Sequence, residues 1–194
     1  MITDRAKASF DTLLHTALKS GLSSADGPCV IEPIAEIGAK VKEKKLVILT
    51  VSSYLFRLMA MIYFRNDAAT RAFFARTGGV ASSDADGAVA TVETSEQEFF
   101  DRVAEAGNMI CGSFNRELGK SFPHVGMSTP NIIDKDCMRY VDLLGCGVQR
   151  HYKLSLPGDL TMYASLCVSD YGLVDFHAEA PAEEDASVGE LEFF

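Results

Sequence analysis

Apolar positions give the first reading of this chain. Between residue 4 and about residue 20 they recur every three or four places. Phe10, Leu13, Leu14, Ala17 and Leu18 thus share one side of an amphipathic helix, with Gly21 as its stop. CVIEPIAEI (29–37) is apolar and β-branched and predicts a strand. Pro33, which has no N–H for the ladder, marks that strand as an edge or a bulge. KLVILTVSS and FRLMAMIYFR, split at Ser52–Ser53, predict a strand pair. DAATRAFFARTGG opens on a good cap, Asp67, and closes on Gly78–Gly79, so it predicts a short helix; VASSDADGAVATVE then reads as a polar loop. Further on, HVGMSTPNIID predicts a turn and strand around Pro130. GVQRHYKLSL and LTMYASLCVSD predict a hairpin turning at Pro157–Gly158, and GLVDFHAEAP a last short strand. No internal repeat is evident. The order of elements predicts an α+β fold, an antiparallel sheet with helices packed on it.

The segment between loop and turn, FFDRVAEAGNMICGSFNREL (99–118), is helical in pattern yet holds Gly107 and Gly112. Each costs a helix interior about 0.5–1 kcal/mol relative to Ala. Ser95 starts this helix and Glu98 completes a capping box. At roughly 100° per residue, Phe99, Phe100, Val103, Ala104, Gly107, Ile110, Cys111, Phe114 and Leu118 form a broad apolar face against the sheet. Asp101, Glu105, Asn108, Gly112 and Asn115 form a narrow polar stripe opposite, with no Lys or Arg among them. Gly107 on the buried face allows a close helix–sheet approach. Gly112 on the exposed stripe has no internal packing to serve, so it leaves a bare patch where an outside surface can come near the backbone. Glu105 there is suited to pairing with a cation, and Asn108 to both donating and accepting hydrogen bonds.

Charge narrows the function classes. The formal net charge is −9, with six acids and no base in the last residues from Ala178 to Phe194, so the body carries about −3. An acidic chain without a basic stripe is a poor partner for nucleic acid. The stretch LVILTVSSYLFRLMAMIYF (46–64) is almost long enough to span a bilayer, but Ser52, Ser53 and Arg57 at its middle suit a hairpin, and no membrane association is expected. The first residues lack the charged-then-apolar order of a secretory signal. Cys29, Cys111, Cys137, Cys146 and Cys167 contain no C-x-x-C pair and read as reduced buried thiols of a cytoplasmic protein. His15, His124, His151 and His177 lack metal-ligand spacing, so no metal site is expected.

The stretch DRVAEAGNMICGSFNREL…STPNII resembles the signature of the CheC/CheX family of chemotaxis phosphatases: Asp or Ser, three residues, Glu, two residues, Asn, about 22 residues, then Pro. Those positions are Asp101, Glu105, Asn108 and Pro130. GNMICGSF also resembles the ANMIAGN-type continuation of CheX-like sequences, and the upstream order of helix, strand, hairpin, short helix and motif helix looks like the same domain. On this likeness residues 1–178 are a CheX-like phosphatase domain and 179–194 an acidic, flexible tail ending in Phe193–Phe194. The interval from Asn108 to Pro130 is one residue shorter than the family's. The second Glu-x-x-Asn half-site of CheC-type members is missing, since IAEIGAKV offers only Glu36-x-x-Ala39. A single site fits the CheX branch.

The resemblance implies a cytoplasmic hydrolase that removes the aspartyl phosphate of a CheY-like response regulator in chemotaxis or related two-component signalling. Asn108 would orient the attacking water and Glu105 would pair with the regulator's active-site Lys. Asp101, Gly112 and Asn115 would meet the partner, and Pro130 would shape the adjoining loop. No cofactor belongs to this chain; the Mg²⁺ is expected on the phosphorylated response regulator. CheX-type relatives are homodimers joined through their sheets, so a homodimer is implied, with an exposed edge in the hairpins around 46–64 or 148–168 as its physical means. Two other readings are a non-catalytic binding module for a receiver domain and a structural subunit of flagellar-motor type. The acidic tail reads either as a solubilising arm or as a tether.

Overall fold

The computed structural model describes residues 1–24, 27–38, 42–77, 95–137 and 145–179. Their elements are α1 (Asp4–Leu22), β1 (Val30–Ile34), β2 (Lys45–Ser52), β3 (Phe56–Phe64), α2 (Ala68–Thr77), α3 (Glu96–Gly119), β4 (Gly126–Met127), β5 (Asn131–Asp134), β6 (Val148–Leu156) and β7 (Leu160–Asp170). The strands form one seven-stranded antiparallel sheet in the order β1-β6-β7-β3-β2-β4, with β5 also paired to β2. The α+β architecture expected from the sequence is the one observed.

The core follows from strand alternation. Val47, Leu49 and Val51 of β2, Phe56, Leu58, Ala60 and Ile62 of β3, and Met162, Ala164, Leu166 and Val168 of β7 bury one sheet face under α1 and α3. Phe10, Leu13, Leu14, Ala17 and Leu18 of α1 are buried there, as predicted. Phe10, Phe56, Phe122 and Phe176 close a ring of edge-on contacts with centroids 4.9–5.3 Å apart. That ring fastens the segment after β7 to α1, so residues 172–179 dock without becoming a strand; their ladder is a single bridge between Ile2 and Val174.

Several expectations are corrected here. Gly21 does not stop α1. It is buried inside the helix, where an added Cβ would fall 2.3 Å from Ile110 Cγ1, so it is the contact point of α1 on α3. The strand predicted over 29–37 spans only Val30–Ile34, at the sheet edge that Pro33 foretold. The hairpins over 46–64 and 148–168 are not the free edges expected: among the described residues β4 and β5 pair with the outer side of β2, and β1 pairs with His151–Ser155 of β6. The cysteines are not all reduced buried thiols. Cys146 and Cys167 form a disulfide, and Cys137 is exposed. The bridge lies on the second sheet face, where Leu46, Met61, Tyr63 and Cys167 make a smaller cluster. Asp67 caps α2 as predicted, accepting from Thr70 N at 2.9 Å. The Gly78–Gly79 close, the loop to residue 94, Ala39 and the tail from residue 180 lie outside the described residues.

Candidate functional site

The polar stripe stands on α3, and its sequence explains the helix locally. Ser95 caps it by accepting from Glu98 N at 3.1 Å, while the Glu98 carboxylate accepts from Arg102 at 3.1 Å. Phe99, Val103, Gly107, Ile110, Cys111, Phe114 and Leu118 are buried, as the periodicity predicts. Ala106 and Ser113 are buried too, because α3 packs against α1 as well as the sheet, and one helical wheel drawn against a sheet alone does not show that second neighbour.

Two devices set the height of the helix over the sheet. Gly107 faces Leu49 and Pro130, whose atoms would lie 3.2–3.3 Å from an added Cβ. Pro130 reaches that position through a bulge. The partners of Val51 and Ile48 are Met127 and Asn131, so three residues stand opposite two and the ladder slips by one. A proline, with no N–H to place, suits the unpaired position. Thr50 then fastens both elements: its carbonyl accepts from Ser128 N at 2.9 Å and lies 4.0 Å from Cys111 Sγ. Burial raises the Cys111 thiol to about 11, so it is an inert packing group and no nucleophile.

The outward side carries the candidate chemistry. Asp101 and Glu105 are exposed, and Asn108 and Gly112 are half-buried. Asp101 accepts from Gln97 Nε2 at 2.8 Å. Among the described residues no hydrogen bond or ion pair engages the Glu105 carboxylate or the Asn108 carboxamide. Nothing lies within 4 Å of a Cβ placed on Gly112, so the bare patch read from the sequence is open space in the fold. Asn115, two turns after Asn108, continues the stripe and is half-buried like Asn108 and Gly112, and its carboxamide oxygen is buried without a partner. Asp101, Glu105, Asn108 and Gly112 thus follow one another turn by turn along the outward side of α3, while Pro130 meets the helix on its buried side, at Gly107, the residue before Asn108 in the chain.

Two residues at this surface escaped the sequence reading. Met109 and Met127 are each 48% exposed, on α3 and β4 respectively. The signal for Met109 was present, since it lies four places after Glu105 and three before Gly112, an apolar residue inside a polar stripe. Met127 gave none, because only strand pairing brings it beside the helix. Among the described residues no group of three or more His, Cys, Asp or Glu side chains is placed to hold a metal ion, and no helix is long and apolar enough to cross a membrane.

Comparison with known proteins places this geometry in a fold. The chain is similar to a CheC-like superfamily protein from Shewanella sp. PV-4, with TM-score 0.54 and 16% identity over 86% of this chain and 99% of that one. It is similar to the chemotaxis protein CheX of Vibrio vulnificus, with TM-score 0.53 and 16% identity over 83% and 97%. It also matches a chain of the CheX–CheY–BeF3–Mg²⁺ complex of Borrelia burgdorferi, with TM-score 0.54 and 18% identity over 84% and 96%. No protein-family profile and no curated protein sequence matches this chain. The fold is that of the CheC-like and CheX chemotaxis proteins.

Proposed function

We propose that this chain is a CheX-like protein whose partner is a CheY-like receiver domain, and that it hydrolyses the aspartyl phosphate of that receiver. The observation that carries the reading is the pair Glu105 and Asn108, three residues apart on α3, outward-facing and unengaged by any other described residue. A solvated helix surface has no need of a carboxylate and a carboxamide left unengaged in the turns before an unpacked glycine. Catalysis of this reaction does have that need.

An acyl phosphate is already reactive, so the main demand on a catalyst is an in-line water. The Asn108 carboxamide enters the receiver's site and orients that water; it is too weak a base to deprotonate it, so its part is positioning. Glu105 pairs with the receiver's active-site Lys and fixes the pose. Asp101, already braced by Gln97, lines the rim of the contact. Pro130 shapes the adjoining loop where it meets α3 at Gly107, and Gly112 clears room for the docked surface. The Mg²⁺ belongs to the receiver. The complex of a fold neighbour with CheY, BeF3 and Mg²⁺ supports this choice of partner. The setting we propose is cytoplasmic, and the assembly a homodimer; among the described residues β1 ends the sheet on the side away from β2 and α3, and offers an edge for it.

The test is the decay of a phosphorylated receiver domain in Mg²⁺, with and without this protein. Faster decay is expected, reduced about 100-fold by Asn108→Ala, the scale of a lost positioning contact. Glu105→Ala is expected to weaken binding as well. Binding without acceleration would instead support the non-catalytic module, and neither binding nor acceleration would remove the reading altogether.

A further inference from the structure

We propose that Gly112, flanked by Met109 on one side and Met127 on the other, is the floor of an apolar socket that takes a hydrophobic side chain of the docked receiver. This rests on the partner assignment above.

The walls follow from the fold. On the helix Met109 lies about 60° round from Gly112, on the side toward α1. The opposite wall comes from the sheet. Met127 stands opposite Val51, and directly paired residues share a face. Val51 is buried on the side covered by helices, so Met127 projects to that same side beyond the last strand. The same alternation puts Ile132, opposite Val47, in the main core and Ile133, opposite Leu46, in the second cluster. Thr50, bonded to Ser128 and touching Cys111, holds this strand at the level of Gly112. Both methionines are half in solvent, and the space above Gly112 is open. Unbranched thioether side chains adapt their shape to an incoming group, a use that the main core, rich in Phe and Leu, does not share.

Charge selects the occupant. The stripe beyond the socket carries the Asp101 and Glu105 carboxylates, while Arg102 and Arg116 are paired with Glu98 and Glu117. A second copy of this chain would bring the two carboxylate stripes face to face, which costs energy at any docked interface. A nucleic-acid or anionic membrane surface is repelled for the same reason. A receiver that offers a Lys to Glu105 and an apolar side chain beside it satisfies both halves of the surface.

The experiment measures binding and turnover with a CheY-type receiver, charged with beryllofluoride and Mg²⁺ for binding and phosphorylated for turnover. Met109→Glu and Met127→Glu are each expected to weaken binding about tenfold, as truncated contact residues do. KM should rise by a similar factor while kcat stays within about twofold, and Met109→Leu should restore affinity. Asn108→Ala should show the reverse split, with binding kept and turnover lost. Wild-type binding matched by both Met variants overturns the socket and leaves the phosphatase reading standing. Failure of the wild type to bind any receiver overturns both. Loss of self-association with receiver binding intact would assign the patch to a second copy and overturn the proposal.

Discussion

Gly107 on the long helix and Pro130 on the edge bulge meet at the limit of contact: a Cβ built on Gly107 would lie 3.3 Å from both Cβ and Cγ of Pro130, and 3.2 Å from Leu49 Cδ2. This contact sets how deep α3 sits beside β2, and so the height at which Asn108 emerges. Ala at this position gains about 1 kcal/mol of helix propensity, against neighbours that must yield a few tenths of an ångström. The Leu49 methyl can swing aside, but the Pro130 ring moves only with its bulge. Gly107→Ala is therefore expected to change stability little, while Gly107→Val loses about 1–3 kcal/mol as an overpacked site. Urea unfolding of the two variants checks this, and turnover should fall with the displaced Asn108 in the Val variant.

A tighter contact joins α1 to α3. A Cβ on Gly21 would fall 2.3 Å from Ile110 Cγ1 and 3.4 Å from the Ala106 carbonyl. Cγ1 sits on the β-branched stem of Ile110, which has little rotamer freedom in a helix. Gly21→Ala should therefore destabilise by about 1–3 kcal/mol despite its better propensity. Ile110→Ala alone loses a buried side chain and costs about 2–5 kcal/mol. The double variant is expected to cost less than the sum, because Ile110→Ala removes the atom that Gly21→Ala strikes. Additive losses in a double-mutant cycle would contradict this account of the packing.

Where a single neighbour decided an element, the sequence was legible. Alternation announced β2, β3, β6 and β7, Ser95 and Asp67 announced their helices, and the wheel separated the Asp101–Glu105–Asn108 stripe from the buried face. What it missed depends on a second neighbour. Gly21 resembles a helix stop until α3 is seen pressed against it. Ala104 and Ser113 trade places in the burial pattern because α1 takes a flank of α3. Met127 reaches the candidate site, and Cys146 reaches Cys167, only through strand register, which a linear pattern does not encode. The hairpins that resembled free edges are central strands for the same reason.

The bridge gives a direct count. Cys29 and Cys111 are buried free thiols, Cys137 is an exposed one, and Cys146–Cys167 is closed. Denatured protein kept from reductants should therefore expose three alkylatable thiols, and five after reduction, read by mass spectrometry. The closed loop spans a sequence separation of 21. By chain entropy such a loop contributes about 3 kcal/mol, so Cys146→Ser should lower the melting temperature, and adding reductant to that variant should lower it no further. Five reactive thiols before reduction would contradict the bridge.

Two histidines make stability depend on pH. Burial lowers the pKa of His15, against Asp11, which raises it, and with Lys19, which lowers it further. Its ring stands 5.0 Å from Tyr152, and its Nε2 is buried without a partner. Burial likewise lowers that of His151, against Glu36. With folded values below the ordinary 6.5, the unfolded chain binds more protons in that interval. Stability is then full above 6.5 and falls as pH drops toward the folded values. The urea midpoint should thus decline from about pH 7 to pH 5, and His15→Phe should flatten that decline in part, leaving the share of His151. An unchanged slope in His15→Phe would show that this ring does not titrate with folding.

Gly112 sets stability against function. Nothing lies within 4 Å of its missing Cβ, and the residue is inside a 24-residue helix, so packing gives no reason to keep glycine. Gly112→Ala is expected to stabilise the protein by about 0.5–1 kcal/mol through helix propensity alone, seen as a higher urea midpoint with an unchanged slope. The same methyl raises the floor between Met109 and Met127, so receiver affinity should fall. Gly112→Leu should extend that loss well beyond what Ala produces, because its side chain fills the space a partner would enter. A glycine kept for docking predicts these two opposed responses together. Stabilisation with affinity unchanged in both variants would leave Gly112 as an unused position, and would move the partner contact away from this turn of the helix.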